Sequence, residues 1–259
     1  MRFSACIEWL FADESDDLAE RIRCARRAGL DAVEFWLWSN KNIAAIEMAL
    51  RETGLTLSGF VAEPMIALTD AGNQEKFLEG LARSVAVAQR LGAHMLIAQA
   101  GNNLPGRTRS EQRDALLACL KAAADVLEGS GVRLGVEPLN TLIDHPGYYL
   151  ASTREALGIV DAVGRPEIGI VYDLYHSCVM GEAIEDVLAG RVHHVVHAHV
   201  ADHPGRNDPG SGGLDLGARL AWLHGHGYSG AVGLEYQPVG STAEALPGVL
   251  AHLRGAPAP

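Results

Sequence analysis

The sequence IGIVYDLY at residues 168–175, followed by His176, decides how the rest of the chain is interpreted. Its apolar run ends at Asp173, so it predicts a buried parallel strand. Such a strand would deliver a carboxylate and, three residues later, an imidazole at its carboxyl end. Because α/β folds carry their chemistry at the carboxyl ends of parallel strands, we expect the functional site at this edge.

Three other runs end in the same way. RLGVEP reaches Glu137, HVVHAHVAD carries His199 and Asp202, and AVGLEYQP reaches Glu235. Asp173 follows Glu137 by 36 residues, His199 follows Asp173 by 26, and Glu235 follows His199 by 36. Each separation is close to one strand plus one helix, so four polar groups from four successive strands would meet at one mouth.

Strand and helix patterns alternate along the whole chain. Eight units of about 32 residues match the length of a (β/α)8 TIM barrel, which we expect as one domain over residues 1–259. A doubly wound open sheet shares the alternation but has five or six strands and a glycine-rich phosphate loop. No GxGxxG or Walker pattern occurs here, so the barrel is favoured.

Hydrophobic periodicity, capping residues and glycines set the expected boundaries. Asp16, Thr108 with Glu111, Ser152 with Glu155, and Ser241 with Glu244 are the predicted helix caps. The expected strands are residues 3–9, 30–38, 55–62, 94–101, 133–138, 168–173, 194–200 and 231–236. The expected helices include residues 42–53, 74–91, 108–129, 152–164, 182–189 and 214–226.

Composition restricts the partners. Apolar residues make up 48% and charged residues 20%, as in a globular protein with an ample core. The net charge is −11 and the basic residues are scattered, so we expect no nucleic-acid or membrane partner and instead a small-molecule substrate.

No apolar stretch approaches about 20 residues and no signal peptide is evident. Widely spaced cysteines indicate reduced thiols of a cytoplasmic protein, at positions Cys6, Cys24, Cys119 and Cys178.

The four strand-end residues suit a divalent metal ion. Glu137, Asp173, His199 and Glu235 would supply three carboxylates and one imidazole, and three crowded carboxylates repel each other without a cation. This fairly hard donor set suits Mn²⁺, Mg²⁺ or Co²⁺, and Zn²⁺ is also compatible. Taken singly, each residue could be a surface carboxylate or a core histidine.

Four ordered motifs carry a family resemblance. VEPLN, YDLYH, HVADHPGRNDPGSG and GLEYQP resemble segments of the hydroxypyruvate isomerase family, within the xylose isomerase-like TIM barrels that also include ketose 3-epimerases. The resemblance implies that Glu137, Asp173, His199 and Glu235 hold one divalent ion and that the two glutamates exchange the proton. It implies conversion of hydroxypyruvate into tartronate semialdehyde through an enediolate, in a protein that is often a homodimer or homotetramer.

The resemblance also implies two substrate contacts. His176 would contact a substrate oxygen, and Arg206 would pair with a carboxylate through its guanidinium. The alternatives are a histidine that supports a ligand or starts a helix and a solvated loop arginine. The surrounding loop, residues 205–213, is glycine-rich and is either a mobile lid or an ordinary loop.

Alternation separates the histidines near residue 199. His197 and His199 should face one side with His193 beneath them, while His194 should face the helices. His199 is last and is therefore chosen as the ligand; His197 either supports the site or packs in the core. Other polar or aromatic residues that could line the mouth are Glu34, Gln99, Trp9, Phe11, Trp36 and Trp38.

Some features leave the substrate open. GFVAEPM, after the third strand, lacks a histidine that family members often carry, and Ile143 stands where epimerases for larger ketoses often have glutamate. The second feature favours the isomerase branch. The alternatives are a ketose 3-epimerase or inosose isomerase or dehydratase, an endonuclease IV-like phosphodiesterase, and a non-catalytic sugar-binding barrel. The negative net charge argues against the phosphodiesterase.

Overall fold

Eight parallel strands close into a barrel in the computed structural model, which describes residues 1–255. The strands pair in chain order and the last pairs with the first, as the alternation predicted. They are β1 (Arg2–Cys6), β2 (Ala32–Glu34), β3 (Thr56–Val61), β4 (Met95–Ala98), β5 (Arg133–Val136), β6 (Ile168–Asp173), β7 (Val195–Val200) and β8 (Ala231–Leu234).

Helices surround the barrel and connect successive strands. They are α1 (Leu18–Arg27), α2 (Ile43–Thr53), α3 (Gln74–Leu91), α4 (Arg109–Leu127), α5 (Thr153–Val163), α6 (Leu174–Val179), α7 (Ile184–Leu188), α8 (Leu216–Gly225) and α9 (Thr242–Leu253). Short 3₁₀ turns occupy Ala71–Asn73 and Val192–His194. Within the described residues, no helix combines the length and apolar character needed to cross a membrane. The predicted (β/α)8 fold is confirmed.

Local sequence signals explain the best-defined helices. The α3 helix buries Phe77 and Leu81 on one face and ends at Gly92, which adopts a left-handed φ of 72° that favours glycine. The α4 helix begins with a complete capping box, in which Thr108 and Glu111 each bind the other's backbone N–H. The α3 helix has the predicted bounds, and α4 lies within the predicted range of 108–129 because its capping box sets its start.

Three predicted caps were wrong or incomplete. Asp17, not Asp16, caps α1 by accepting from the Ala19 N–H at 3.0 Å. Ser152 does accept from the Glu155 N–H, at 3.3 Å, but the Glu155 carboxylate pairs with Arg109 of α4. Ser241 occupies the N-cap of α9 without a side-chain cap hydrogen bond.

The first two strands are shorter than predicted. The chain turns away where its backbone pairing with the neighbouring strands ends. β1 stops at Cys6 and β2 at Glu34, and the aromatic residues that follow lie in turns. The buried Arg21 guanidinium donates to the carbonyls of Ile7 and Glu8, which satisfies backbone oxygens that leave the sheet. Trp9 and Trp36, which follow these strands, therefore pack against each other beyond the strand ends instead of extending the barrel.

The amino end of β7 also differs from the prediction. His193 lies in the 3₁₀ turn before the strand and is exposed, so it does not lie beneath His197 and His199. His194, in the same turn, faces the helices as predicted, and its Nε2 lies 2.9 Å from Asp161 Oδ1 of α5. The period-2 alternation fails there because it holds only for extended backbone.

Candidate metal centre and active site

Four buried side chains meet at the carboxyl end of the barrel. One ligand atom from each of Glu137, Asp173, His199 and Glu235 lies within 4.8 Å of all the others. The N–H of Glu137 donates to Ala98 O, and the Glu235 N–H donates to Val200 O, so both glutamates are anchored to the neighbouring strand. The structure thus brings together the four residues that the sequence placed at strand ends.

The His199 imidazole lies between two sets of carboxylates. Its Nδ1 is 3.2 Å from Glu137 Oε1 and 3.5 Å from Glu235 Oε2. Its Nε2 points the other way and lies 3.0 Å from Glu34 Oε1. Only Nδ1 therefore faces the cluster, and Glu34 lies behind the ring.

Asp173 combines a structural bond with an unpartnered oxygen. Its Oδ1 caps α6 by accepting from the N–H groups of Tyr175 at 2.7 Å and His176 at 3.1 Å. Its Oδ2 is buried among the described residues without a hydrogen-bond partner. Because an orphaned buried carboxylate oxygen is costly, this atom fits a cation ligand.

The protonation of the cluster reflects its crowding. Burial raises the pKa of Glu137 to about 7, opposed in part by His199. Burial lowers the pKa of His199, but the charges of Glu235 and Glu34 outweigh it and hold that pKa well above its usual range. Protons on Glu137 and His199 thus reduce the repulsion between the carboxylates, which a bound dication would also reduce. The donor set of three carboxylates and one imidazole fits a divalent ion.

Glu235 is fixed by two donors from the mouth wall. Trp36 Nε1 donates to its Oε1 at 2.8 Å, and Arg206 Nη2 donates to its Oε2 at 2.7 Å. The Arg206 guanidinium also lies 5.1 Å from the ring centroid of Trp9 and 5.5 Å from that of Tyr175. Arg206 is thus largely buried at the site and is not a solvated loop residue, although its side chain retains 12% exposure.

His176 presents one nitrogen to the same space. Its Nδ1 accepts from the Asn140 side-chain amide at 2.7 Å and the Asn140 backbone N–H at 3.3 Å, so the hydrogen lies on Nε2. Burial holds the pKa of His176 well below its usual range, so the ring is neutral. Nε2 is buried without a hydrogen-bond partner among the described residues, 3.7 Å from Asp173 Oδ2, and can donate to a ligand oxygen.

The other residues predicted to line the mouth lie in different places. Trp9 packs edge-on against Trp36 with centroids 5.1 Å apart, so both belong to the mouth. Phe11 is fully buried in the core, and the Trp38 Nε1 donates to Ser84, so these two do not line the site. Gln99 is half-buried.

The glycine-rich loop after β7 is anchored by Asp202. This buried carboxylate accepts from the N–H groups of His203, Gly210 and Leu214 at 2.8 to 3.0 Å. The anchor fixes the base of the loop that carries Arg206, and Arg206 has a left-handed φ of 54°. The carboxylate that the sequence placed at the end of the seventh strand is therefore a loop anchor.

The sequence did not predict two of the contacts at this site. Glu34 hydrogen-bonds His197 and lies 3.0 Å from His199 Nε2, and Trp36 donates to Glu235 directly. Their positions at the end of the second strand suggested only a polar lining and an apolar wall. No local motif identifies either partner, since Trp36 and Glu235 are separated by 199 residues.

Sequence and fold comparisons agree with this geometry. Residues 22–254 match the profile described as xylose isomerase-like TIM barrel. The chain belongs to this family and, within it, to the hydroxypyruvate isomerase group of enzymes.

Individual relatives cover almost the whole chain. A human protein provisionally named hydroxypyruvate isomerase is 34% identical over 95% of this chain and 93% of its own length. The Escherichia coli K12 hydroxypyruvate isomerase is 29% identical over 95% of this chain and 97% of its own. A Brucella melitensis crystal structure described as AP endonuclease, family 2, is 29% identical with a TM-score of 0.89, covering 95% and 96% of the two chains.

Proposed function

We propose that the chain is a metal-dependent isomerase that interconverts hydroxypyruvate and tartronate semialdehyde. The observation that carries the proposal is the pair of buried glutamates, Glu137 and Glu235, beside His199 Nδ1 in a cluster with one orphaned carboxylate oxygen. Two carboxylates at one cation site suit removal and return of a proton on neighbouring carbons. The names of the human and Escherichia coli relatives support the same substrate.

Glu137, Asp173, His199 and Glu235 would hold the ion, and Mn²⁺, Mg²⁺ or Co²⁺ suits this set best, with Zn²⁺ also compatible. When bound, a divalent ion polarises the adjacent carbonyl and hydroxyl oxygens of the substrate and so acidifies the C–H between them. The chain itself supplies the proton transfer and the orientation of the substrate.

The proton balance of the reaction requires one base that can also act as an acid. A glutamate takes a proton from C3 of hydroxypyruvate, and the proton is returned at C2, while the hydroxyl hydrogen passes from O3 to O2. Glu137 and Glu235 are the carboxylates available for this transfer. The Nε2–H group of the neutral His176 can donate a hydrogen bond to a substrate oxygen and stabilise the negative charge that develops there.

Arg206 and the aromatic wall would select the substrate. The Arg206 guanidinium now binds Glu235, and a substrate carboxylate would be a second anionic partner within its reach. Trp9, Trp36 and Tyr175 surround this position with apolar rings, which restrict water and strengthen the ion pair. This arrangement favours a small 2-oxo acid.

Other substrates use similar proton chemistry. A ketose 3-epimerase or an inosose enzyme remains the alternative, because it would need the same ion and the same glutamates. A DNA phosphodiesterase is less favoured, since it would need a basic groove on a chain whose net charge is −11. A non-catalytic barrel would not need the two glutamates at the ion.

Proton exchange tests the proposal. Metal-loaded protein is incubated with hydroxypyruvate in D₂O, and the carbon-bound protons and the product are followed by NMR. We expect deuterium incorporation and tartronate semialdehyde with the wild type and with Glu63→Gln, a matched control whose carboxylate binds Trp38 and Ser39. We expect neither with Glu137→Gln or Glu235→Gln.

Metal content is measured on every sample, because both substitutions also alter a ligand. A variant that keeps its ion but loses exchange identifies that glutamate as the base. Exchange that persists in both metal-loaded variants would refute the two-glutamate assignment. Absence of exchange in the loaded wild type would exclude hydroxypyruvate, and ketoses and inososes would be tested next.

A further inference from the structure

Glu34 connects two histidines inside the barrel. It ends β2, retains 3% exposure, and faces two residues of β7. Its Oε2 hydrogen-bonds His197 Nε2 at 3.0 Å. Its Oε1 lies 3.0 Å from His199 Nε2, and each of these two atoms lacks any other polar partner among the described residues, although the pair is not aligned as a hydrogen bond. Ser58 of β3 donates its hydroxyl to Oε2 at 2.8 Å, so residues of two other strands, β3 and β7, contact the carboxylate.

The orientation of His199 depends on this carboxylate. An imidazole that binds a cation through one nitrogen carries its hydrogen on the other, and an acceptor there selects the tautomer. With Nε2 beside Glu34, the nitrogen left to face Glu137 and Glu235 is Nδ1. Glu34 thus has the position needed to orient the ring and to keep Nδ1 free of hydrogen when an ion is bound.

Glu34, His197 and His199 also lie close enough together to bind a second ion. Two contacts argue against that use. Oε2 already accepts from Ser58 and faces His197 Nε2, which occupies its lone pairs. On the other side, a Cβ at Gly233 would overlap both Glu34 Oε1 and His199 Cδ2, so the pair packs directly on the strand backbone.

We propose that Glu34 is a positioning residue that orients His199 for the metal ion, and that His197 and Ser58 hold Glu34 in place. The inference deepens the proposed function and rests on its metal ion, but it does not depend on which substrate is turned over. Glu34 itself does not face the side of the ring on which Glu137 and Glu235 lie.

Metal affinity without substrate is the direct test. The apparent Kd for Mn²⁺ is measured by competition with a chelator for the wild type, Glu34→Gln and the matched control Glu63→Gln. We expect Glu34→Gln to bind about 10- to 100-fold more weakly, the usual effect of losing the partner of a metal-binding histidine. Glu63→Gln should match the wild type, because the Glu63 carboxylate binds Trp38 and Ser39 and neither barrel histidine.

Chemical rescue separates orientation from folding. Truncation of Glu34 to alanine leaves space beside Ser58 and His197, two residues that also line a cavity of about 410 Å³ at the amino end of the barrel. In Glu34→Ala, formate should restore metal affinity towards the wild-type value, whereas in Glu34→Gln the amide fills the space and formate should have no effect.

Three outcomes would overturn the inference. One is an affinity of both Glu34 variants within about twofold of the wild type, against the expected loss. Another is a loss in Glu34→Ala that formate does not reverse and that a lowered Tm fully accompanies. The third is two ions per wild-type chain with only one retained in Glu34→Gln. A wild type that binds one ion tightly but does not isomerise hydroxypyruvate would contradict the proposed substrate alone.

Discussion

Raising the pH should destabilise the metal-free protein through Glu137. Burial raises the pKa of this carboxyl from 4.5 to about 7, so between those values the folded state holds a proton that the unfolded state has lost. Stability falls with pH wherever the folded state binds more protons. Two and a half pH units at about 1.36 kcal/mol each give a loss of about 3 kcal/mol between pH 4.5 and 7.

Other groups titrate in the same window and must be separated from Glu137. Burial lowers the pKa values of His145, His176 and His194, so these rings favour stability as the pH rises. The raised pKa of His199 acts in the same direction as Glu137. The difference between the wild type and Glu137→Gln removes the contributions of His145, His176 and His194, and it reports Glu137 together with His199, whose Nδ1 lies 3.2 Å from Glu137 Oε1.

Urea unfolding of chelator-treated protein at pH 5, 6, 7 and 8 supplies the measurement. The stability of the wild type relative to Glu137→Gln should fall by about 3 kcal/mol over this range. Free Mn²⁺ at 100 times its Kd should then add about 2.7 kcal/mol to the wild type at pH 8. A difference that stays constant within about 0.5 kcal/mol across the range would refute the assignment of raised pKa values to Glu137 and His199.

Three further substitutions test the contacts of Glu235 and the packing of Glu34. Trp36→Phe removes a hydrogen bond to the charged Glu235 that is worth about 1.5–3 kcal/mol. Steady-state assays should therefore show a fall in kcat/KM of about 10- to 100-fold. An unchanged kcat/KM would contradict a role for this hydrogen bond in the reaction. Arg206→Met also removes a donor from Glu235, so exchange on hydroxyacetone, which lacks the carboxylate, should fall about 10-fold, and kcat/KM for hydroxypyruvate should fall about 10-fold further. Equal losses on the two substrates would contradict binding of the substrate carboxylate by Arg206. Gly233→Ala places a methyl group against Glu34, and urea unfolding should show a loss of about 1–3 kcal/mol; no loss would mean that the pair is not tightly packed.

The barrel and its four-residue cluster could be predicted from the sequence because both follow from the order of strand and helix patterns along the chain. Apolar runs define strands, and all parallel strands present their carboxyl ends on one side, so Asp173 and Glu137 had to lie at a common mouth. The α3 helix was predicted at its full extent because its apolar face and Gly92 are local signals.

What the sequence missed depends on contacts across the closed barrel. Glu34 lies 163 residues from His197, and only the pairing of all eight strands brings β2 within reach of β7. The Ser152 capping box failed to close for a similar reason, since Glu155 is bound by Arg109 of another helix. His193 was misplaced because alternation was extended into residues that form a 3₁₀ turn.

Metal-dependent product formation tests the central claim most directly. Chelator-treated protein is titrated with Mn²⁺ in the presence of hydroxypyruvate, and tartronate semialdehyde is quantified by NMR at each step. We predict no turnover without the ion and a rate that rises in proportion to occupancy until one ion per chain is bound at the cluster of Glu137, Asp173, His199 and Glu235. Full turnover in the chelated protein, or none at any occupancy, would contradict the claim that this site is a metal-dependent hydroxypyruvate isomerase.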